Sequence, residues 1–158
     1  MLINDVGYFF SLLSSSRVMC IDFGEKTMGI ALNEGSVAMP LCVYDRRNTR
    51  QDLGELCAIF REKKAGGIVM GLPLESDGRE GRMCELVRVF AAKLVKKIGA
   101  NVYLHDERYT TAAASKMTES VGMRRKKSQK IDDMISAALI LQQVLDIAKT
   151  KGVQLSIN

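Results

Sequence analysis

Acidic residues in this sequence stand at points where a buried strand ends or a helix begins. In chain order they are Asp22, the pair Asp106 and Glu107, and the pair Asp132 and Asp133. A carboxylate at the edge of a buried strand costs several kcal/mol unless it is paired, hydrogen-bonded or bound to a cation. Brought together, carboxylates from these three places would form an oxygen-only site, which suits Mg²⁺ or Mn²⁺ rather than zinc.

Asp22 carries the strongest signal because it ends a run, 18–21, that is apolar on both faces. Such a run is typical of a central strand buried between helices. Gly24 and Gly29 supply turn residues after it, and a second apolar run follows at 30–32. The alternative interpretation is a turn-forming Asp that precedes a glycine.

The two acidic residues at the start of the last predicted helix are expected to face different ways. With about 100° between successive helical residues, Asp133 falls on an apolar stripe, whereas Asp132 falls on a mostly polar stripe and is predicted to face water. The stripe of Asp133 also contains Ala137, Ile140, Val144 and Ile147. The alternative for both residues is a favourable position at a helix N-terminus, worth roughly 0.3–1 kcal/mol. Asp133 is therefore the candidate site residue.

Other polar residues allow structural as well as functional interpretations. Asp106, Glu107 and Arg108 could form an ion-pair cluster at a strand end. His105, the single histidine, is predicted to be a strand residue with a satisfied hydrogen bond.

A basic stretch lies just before the last helix, next to Asp133. It contains Arg124, Arg125, Lys126, Lys127 and Lys130. Such a stretch is either a solvated loop or a segment that contacts phosphates. The net charge of +5 permits a polyanionic partner without requiring one.

The 158 residues, 47% of them hydrophobic, are enough for one domain with its own core. The four cysteines form no CxxC pair, so we expect free thiols in a reducing cytoplasm. The apolar segment 8–13 is too short to span a membrane and lacks the basic start of a signal peptide. We divide the chain into an N-terminal extension of unknown role at 1–16, a domain at 17–150 and a C-terminal tail at 151–158.

Apolar periodicity predicts an α/β fold with a five-stranded mixed sheet and helices on both faces. The predicted strands are 17–23, 28–33, 36–44, 68–70 and 102–105, and the predicted helices are 48–64, one that ends near Gly99, 110–119 and 131–149. A short turn joins the second strand to the third, so the first three strands are expected to form an antiparallel meander. The later strands alternate with helices and are therefore expected to be parallel.

Four segments resemble the motifs of the YqgF family of RuvC-like nucleases, which have a ribonuclease H fold. They are residues 22–29, similar to D-x-G-x-K-x-x-G; residues 71–81, similar to GLPL-x-x-DG-x-x-G; residues 106–111, similar to DER-x-[ST]-T; and residues 130–142, similar to the family's last block. The acidic residue of that last block falls on Asp133. The match covers about residues 17–150 in the family's order and spacing.

The resemblance implies hydrolysis of phosphodiester bonds in structured nucleic acid by a two-metal mechanism. Asp22, Glu107 and Asp133 would be the catalytic residues and would hold two Mg²⁺ or Mn²⁺ ions about 4 Å apart. Asp106 would be an extra ligand or a partner of a ligand. The residues implied to contact phosphates are Lys26, Arg108, Arg124, Arg125, Lys126, Lys127 and Lys130.

The family carries two functional descriptions. One is the nuclease that finishes the 5′ end of small-subunit ribosomal RNA, which we favour and which would make pre-ribosomal particles a partner. The other is a Holliday junction resolvase acting on branched DNA. A resolvase needs a symmetric dimer to cut two strands, whereas an RNA-trimming enzyme could act as a monomer.

Two other classes of protein stay open. An Asp-x-Gly-x-Lys opening also begins the ATP-binding domains of the actin, hexokinase and Hsp70 group, but those need two such domains and this length supplies one. The non-enzymatic alternative is a nucleic-acid-binding factor for ribosome assembly with this fold and no catalysis. Glu25 and Tyr109 depart from the residues usual in the YqgF family, and Glu25 adds negative charge beside the proposed site.

Overall fold

The structure is a computed structural model that describes residues 1–15, 17–108 and 125–155. Within these ranges, the side chains of 125–129 are not described. The predicted helix 110–119 lies outside the described residues, as do Tyr109 and Arg124.

The described chain forms one mixed sheet with helices on both faces, which confirms the predicted fold class. The strands are β1 (Leu2–Ile3), β2 (Val18–Phe23), β3 (Thr27–Glu34), β4 (Val37–Asp45), β5 (Gly67–Leu72) and β6 (Val102–Asp106). The helices are α1 (Val6–Ser11), α2 (Thr49–Glu62), α3 (Arg82–Ile98) and α4 (Arg125–Thr150).

The strand order in the sheet is β1-β6-β5-β2-β3-β4, which puts β2 near its centre. Strands β2, β3 and β4 form the antiparallel meander expected from the sequence. Strand β5 runs parallel to β2 and β6, and β6 runs parallel to β1. The carboxyl ends of β2, β5 and β6 therefore lie along one edge of the sheet.

The prediction of five strands was wrong, because the segment 1–16 contributes a sixth. The two residues of β1 pair in parallel with the start of β6. Asp5 caps α1 by accepting a hydrogen bond from the backbone amide of Tyr8 at 2.7 Å. Phe9 is fully buried, and its ring centre lies 5.8 Å from that of Tyr103. A strand of two residues has no periodicity that a sequence could reveal.

The side chains of β2 alternate between two cores, one on each face of the sheet. Met19 and Ile21 belong to the core that α2 and α3 cover, whereas Val18 and Cys20 belong to the core that α1 and α4 cover. Because successive side chains of a strand point to opposite faces, Asp22 lies on the α4 side.

Helix α4 begins at Arg125, six residues earlier than the predicted start at 131. Its fully buried residues are Ala137, Ile140, Leu141, Val144, Leu145 and Ala148. Ile147 was predicted to be buried but is 36% exposed, because the buried stripe steps from Val144 to Ala148. In the part of the chain that the structure describes, no helix has the length and apolar character needed to cross a membrane.

Candidate active site

Strand alternation gathers the candidate carboxylates on the face of the sheet beneath α4. Asp22 follows Val18 and Cys20 on this face of β2. On β6, Tyr103 lies on this face, and Glu107, four positions further on, has the same parity. Helix α4, which carries Asp133, covers the same face. The three residues that the resemblance implied are therefore brought to one side of the molecule.

Gly29 lets α4 approach the sheet beside Asp22. Gly29 is the partner of Asp22 in the antiparallel pairing of β2 and β3. A Cβ placed on Gly29 would lie 2.0 Å from the backbone carbonyl oxygen of Asp133 and 2.6 Å from its carbonyl carbon. Only a residue without a side chain fits here, because no real Cβ contact is that short. The main chain of Asp133 is thus seated directly against the strand next to Asp22.

Thr27 holds the side chain of Asp133. The Thr27 hydroxyl donates a hydrogen bond of 2.6 Å to Oδ2 of Asp133. Thr27 is two residues before Gly29 on β3 and so lies on the same face of the sheet. Strand β3 therefore contacts Asp133 through both its main chain and its carboxyl group.

Gly71, on the other side of Asp22, leaves space for Glu107 as Gly29 does for Asp133. The parallel pairing of β2 with β5 reaches Ile21 and Met70, so one further step places Gly71 beside Asp22. A Cβ on Gly71 would lie 2.3 Å from Oε2 of Glu107. The carboxyl group of Glu107 fills the space that the missing side chain leaves. Two glycines, one on each neighbouring strand, therefore make room for a carboxyl-bearing residue on either side of Asp22.

Burial and neighbouring negative charges shift the ionisation of Asp22 and Glu107. Burial, followed by the negative charge of Asp133, raises the pKa of Asp22 to about 7. Burial, followed by the charges of Asp22 and then Asp106, raises the pKa of Glu107 to about 8. The pKa of the buried Cys20 thiol is also raised, first by burial and then by Asp22 and Glu107. Asp22 is thus electrostatically coupled to both other carboxylates.

This donor set fits a hard divalent cation. All the donors are carboxylate oxygens, the ligands that Mg²⁺ and Mn²⁺ prefer. A cation would offset both the burial and the repulsion that raise the pKa of Asp22 and of Glu107. Across the described ranges, no three Asp, Glu, His or Cys side chains already stand together as a metal site. Asp22, Glu107 and Asp133 are the residues that would hold a cation, and all of their donors would be carboxylate oxygens.

Asp106 makes a different set of contacts from its neighbour Glu107. Both of its carboxylate oxygens accept hydrogen bonds from the Arg108 guanidinium, the shortest at 2.6 Å, and Oδ1 also accepts one from the Arg108 amide. These bonds lower the pKa of Asp106. A Cβ on Gly78 would lie 3.3 Å from Nη1 of Arg108, so this guanidinium sits against the turn that follows β5. Asp106 fixes Arg108 at the edge of the candidate site.

Comparison with known proteins decides the family. A family model described as "RuvX: Holliday junction resolvase" matches residues 16–147. A protein of Anaplasma marginale (strain St. Maries) named "Putative pre-16S rRNA nuclease" is 57% identical over 156 residues, which cover 97% of this chain and 99% of the relative. A protein of the same name from Wolbachia pipientis wMel is 42% identical over 149 residues, which cover 93% of this chain and 96% of the relative. The chain belongs to the RuvX family.

RuvX is the YqgF family whose motifs the sequence resembles, so that resemblance is confirmed. Family membership makes the chain a nuclease, a hydrolase that acts on phosphodiester bonds.

Solved structures show the same fold for this RuvX-family chain. T. thermophilus RuvC in complex with a Holliday junction substrate is 15% identical with a TM-score of 0.54, and the match covers 89% of this chain and 99% of that one. The Fowlpox virus resolvase in complex with Holliday junction DNA is 8% identical with a TM-score of 0.52, over 83% and 97% of the two chains. At these identities the likeness concerns the fold alone.

The predicted phosphate-contacting residues of this RuvX chain fall in different places. Lys26 is exposed on the loop between β2 and β3. Lys130 forms an exposed ion pair with Asp45, with 3.1 Å between Nζ and Oδ2. Residues 125–127 form the first turn of α4, but their side chains lie outside the description, and Arg124 lies outside it altogether. Contact of these residues with nucleic acid stays a prediction.

One expectation about the last helix was wrong and one about β6 is confirmed. Asp132 was predicted to face water, but its Oδ1 is buried and has no hydrogen-bond partner among the described residues. The residue as a whole is half-buried, because tertiary packing at the start of α4 covers one of its oxygens, and a helical wheel does not show such packing. His105 is a buried strand residue as expected, and its Nε2 lies 3.0 Å from Oε1 of Gln143 on α4.

Sequence reasoning missed a buried ion pair that fixes the loop after Asp22. Asp52 is fully buried and pairs with Arg46, with 3.0 Å between Oδ2 and Nε. The Arg46 guanidinium lies 4.5 Å from the ring centre of Phe23 and donates a hydrogen bond of 3.0 Å to the carbonyl of Gly24. The first turn of a helix is a normal place for an exposed acidic residue, so nothing local marked Asp52 as buried.

Proposed function

We propose that this RuvX-family nuclease processes the 5′ end of pre-16S rRNA with the help of divalent cations. The observation that carries the proposal is the placement of Asp22 between Gly29 and Gly71, whose missing side chains seat Asp133 and Glu107 beside it. The choice of substrate is supported by the names of relatives that are 57% and 42% identical over almost their whole length.

We assign the cation to Asp22, Glu107 and Asp133. When bound, a Mg²⁺ or Mn²⁺ ion supplies Lewis acidity at a phosphoryl oxygen and makes water a stronger nucleophile near neutral pH. The chain's own part is to hold these carboxyl groups in a half-buried setting. Burial first and the neighbouring negative charges second raise the pKa of Asp22 and of Glu107, so a bound cation would favour their ionised forms. Packing of α4 against Gly29 fixes the position of Asp133, the third of these carboxylates.

The cationic side chains around these carboxylates would position the polyanionic substrate. Arg108 is fixed by Asp106 and by the turn at Gly78, so we propose that its guanidinium contacts a phosphate of the substrate. Both carboxylate oxygens of Asp106 accept hydrogen bonds from Arg108. We therefore propose that Asp106 holds Arg108 for contact with a phosphate and is not itself a metal ligand. Lys26 is exposed three positions from the end of β2 and would contact the backbone without reading sequence.

Cleavage of Holliday junctions is the second candidate function. It is favoured by the description of the matching family model and by the shared fold with T. thermophilus RuvC. A resolvase would have to present two such sites to one junction, and we therefore expect a dimer if this function holds and a monomer if RNA trimming does.

We propose that the protein acts in the cytoplasm on pre-ribosomal particles. All of its cysteines are free thiols, as is usual in a reducing compartment. We further propose that residues 17–150 form the nuclease domain and 151–158 a tail, and that 1–16 serves to extend the sheet at β6, where its first strand pairs.

The test is a cleavage assay on two substrates, a precursor fragment spanning the 5′ end of 16S rRNA and a four-way DNA junction. Each is incubated with the protein in Mg²⁺, in Mn²⁺ and in EDTA. We expect cation-dependent cleavage of the RNA, abolished by Asp22→Asn with RNA binding retained. Cleavage of the junction alone would instead identify a resolvase, and RNA binding without any cleavage would identify a non-catalytic assembly factor.

A further inference from the structure

We propose that Thr27 is a positioning residue for the cation site, because its hydroxyl holds the carboxyl group of Asp133 in the place where a cation needs it. This inference rests on the proposed function and extends it to a residue outside the three carboxylates. A carboxylate has two oxygens, so a donor on Oδ2 leaves Oδ1 for a metal ion.

The Thr27 hydroxyl is itself held in a rigid frame. The backbone carbonyl of Thr27 accepts a hydrogen bond of 2.9 Å from the amide of Gly24, which closes the turn between β2 and β3. Thr27 also pairs with Asp45 at the end of β4. On the preceding residue, the carbonyl of Lys26 accepts a hydrogen bond of 2.8 Å from the Arg46 amide. The donor is therefore placed by the sheet and cannot follow the carboxylate if α4 shifts.

Asp133 approaches this donor with a fixed main chain. Its carbonyl oxygen is seated against Gly29, so only the two side-chain torsions of Asp133 remain to be set. The 2.6 Å hydrogen bond from Thr27 sets these two torsions. The main chain and the carboxyl group of Asp133 are thus fixed by two residues of one strand, both on the face that α4 covers.

The hydrogen bond fixes where the carboxyl group of Asp133 stands relative to Asp22. Gly29, which pairs with Asp22, lies two residues after Thr27 on the same strand, so one strand places both the donor and the main chain of Asp133. A charge-assisted hydrogen bond to Oδ2 keeps this carboxyl group in one orientation. Metal-ligating carboxylates that lose such a hydrogen-bond partner typically lose roughly 10–100-fold in metal affinity or activity.

Two substitutions separate the hydroxyl from the shape of the side chain. Thr27→Val keeps the branched shape and the strand propensity and removes the donor, whereas Thr27→Ser keeps the donor. We expect Thr27→Val to weaken Mn²⁺ binding roughly 10–100-fold, measured as free Mn²⁺ by electron paramagnetic resonance, and Thr27→Ser to restore wild-type binding. In cleavage assays the Mn²⁺ concentration for half-maximal rate should rise with Thr27→Val, while the rate at saturating Mn²⁺ stays near that of the wild type.

Asp45→Asn is the matched control, because it removes the ion pair between the end of β4 and Lys130 on α4 without touching the carboxyl group of Asp133. It should bind Mn²⁺ as the wild type does. If Thr27→Val proves unstable in thermal unfolding, the comparison of Thr27→Ala with Thr27→Ser at low temperature answers the same question.

The outcomes distinguish this inference from the function on which it rests. Wild-type protein that binds Mn²⁺ and cleaves RNA, together with a Thr27→Val variant of unchanged Mn²⁺ affinity, would overturn the role of Thr27 and leave the nuclease site standing. Wild-type protein that neither binds Mn²⁺ nor cleaves would overturn the proposed function itself, and the role of Thr27 with it.

Discussion

Gly29 and Asp133 are in direct main-chain contact, so that the place for a side chain on β3 is occupied by the carbonyl group of a residue on α4. Because Gly29 pairs with Asp22, this contact sets the distance between the helix and the central strand at the candidate site. A glycine is needed here for the close approach of the helix rather than for its backbone conformation.

Gly29→Ala should therefore displace α4. The added Cβ would meet backbone atoms, which cannot rotate away, so we expect the free energy of unfolding to fall by about 3 kcal/mol or more and cleavage to be lost. Gly54→Ala on the exposed side of α2 is the control, because no described atom outside the adjoining backbone of its own helix lies within 4 Å of its Cβ. That substitution should leave activity unchanged and stabilise the helix by up to about 1 kcal/mol. Urea unfolding of both variants checks this, and equal stabilities would contradict the close approach.

Gly71→Ala should affect activity more than stability. Its Cβ would meet the carboxyl end of Glu107 at 2.3 Å and the side-chain tip of Ile140 at 2.9 Å, both of which can move. We expect about 1–2 kcal/mol of destabilisation and a loss of about 100-fold in cleavage rate, since displacing a catalytic group by about 1 Å has that effect. An active Gly71→Ala enzyme would mean that the position of Glu107 does not matter for catalysis.

Stability without divalent cations should decrease as the pH rises. The pKa of Asp22 is raised to about 7 and that of Glu107 to about 8, whereas both are near 4 in an unfolded chain. Between about pH 4 and about pH 8 the folded protein therefore binds more protons than the unfolded chain, and its free energy of unfolding falls with rising pH.

Thermal unfolding in EDTA across this pH range measures the effect. Asp22→Asn should flatten the decrease, and Asp45→Asn at the exposed end of β4 should keep the wild-type slope. Added Mn²⁺ should raise the melting temperature most at the alkaline end, where the carboxylates are ionised. An Asp22→Asn variant whose stability changes with pH as the wild type's does would contradict the assigned shift of Asp22.

The buried pair of Arg46 and Asp52 should contribute to stability. Asp52→Ala leaves the Arg46 guanidinium without its partner in a mostly buried position, and the free energy of unfolding is expected to fall by about 3 kcal/mol. Glu34→Gln removes the exposed pair of Glu34 with Arg17 and should cost less than about 1 kcal/mol. Chemical denaturation of both variants measures the two decreases in the free energy of unfolding. Equal decreases would contradict the larger contribution of the buried pair.

The basic stretch 124–130, most of which lies in the first turns of α4, should bind phosphates of the substrate. We expect Arg124→Ala/Arg125→Ala to weaken RNA binding and to flatten its salt dependence, by about 0.7 in logarithmic slope for each single-strand phosphate that the variant no longer neutralises. Fluorescence anisotropy over a range of salt concentrations gives this slope. An unchanged slope would mean that the stretch is a solvated surface without phosphate contacts.

Much of the site follows from local sequence patterns. The apolar run before Asp22 predicted a central strand, and alternation along β2 decides which face Asp22 occupies. The helical period of the last segment identified Asp133 as the residue that faces the protein, and the Thr27 and Gly29 contacts confirm that orientation. Patterns of this kind depend only on the geometry of one strand or one helix.

Contacts between distant segments could not be predicted in this way. The hydrogen bond from Thr27 to Asp133 joins residues 106 positions apart, and neither residue carries a local sign of it. The burial of Asp52 depends on Arg46 folding over Phe23, and the buried oxygen of Asp132 depends on what packs around the start of α4. Each of these features arises from tertiary packing, which periodicity does not report.

The most direct test is anomalous X-ray diffraction from crystals of the wild-type protein soaked in Mn²⁺. We predict a manganese peak within coordination distance of the carboxylate oxygens of Asp22, Glu107 and Asp133, and no such peak in crystals of Asp22→Asn. Manganese bound elsewhere, with these three side chains left without a metal ion, would contradict the assignment of the active site.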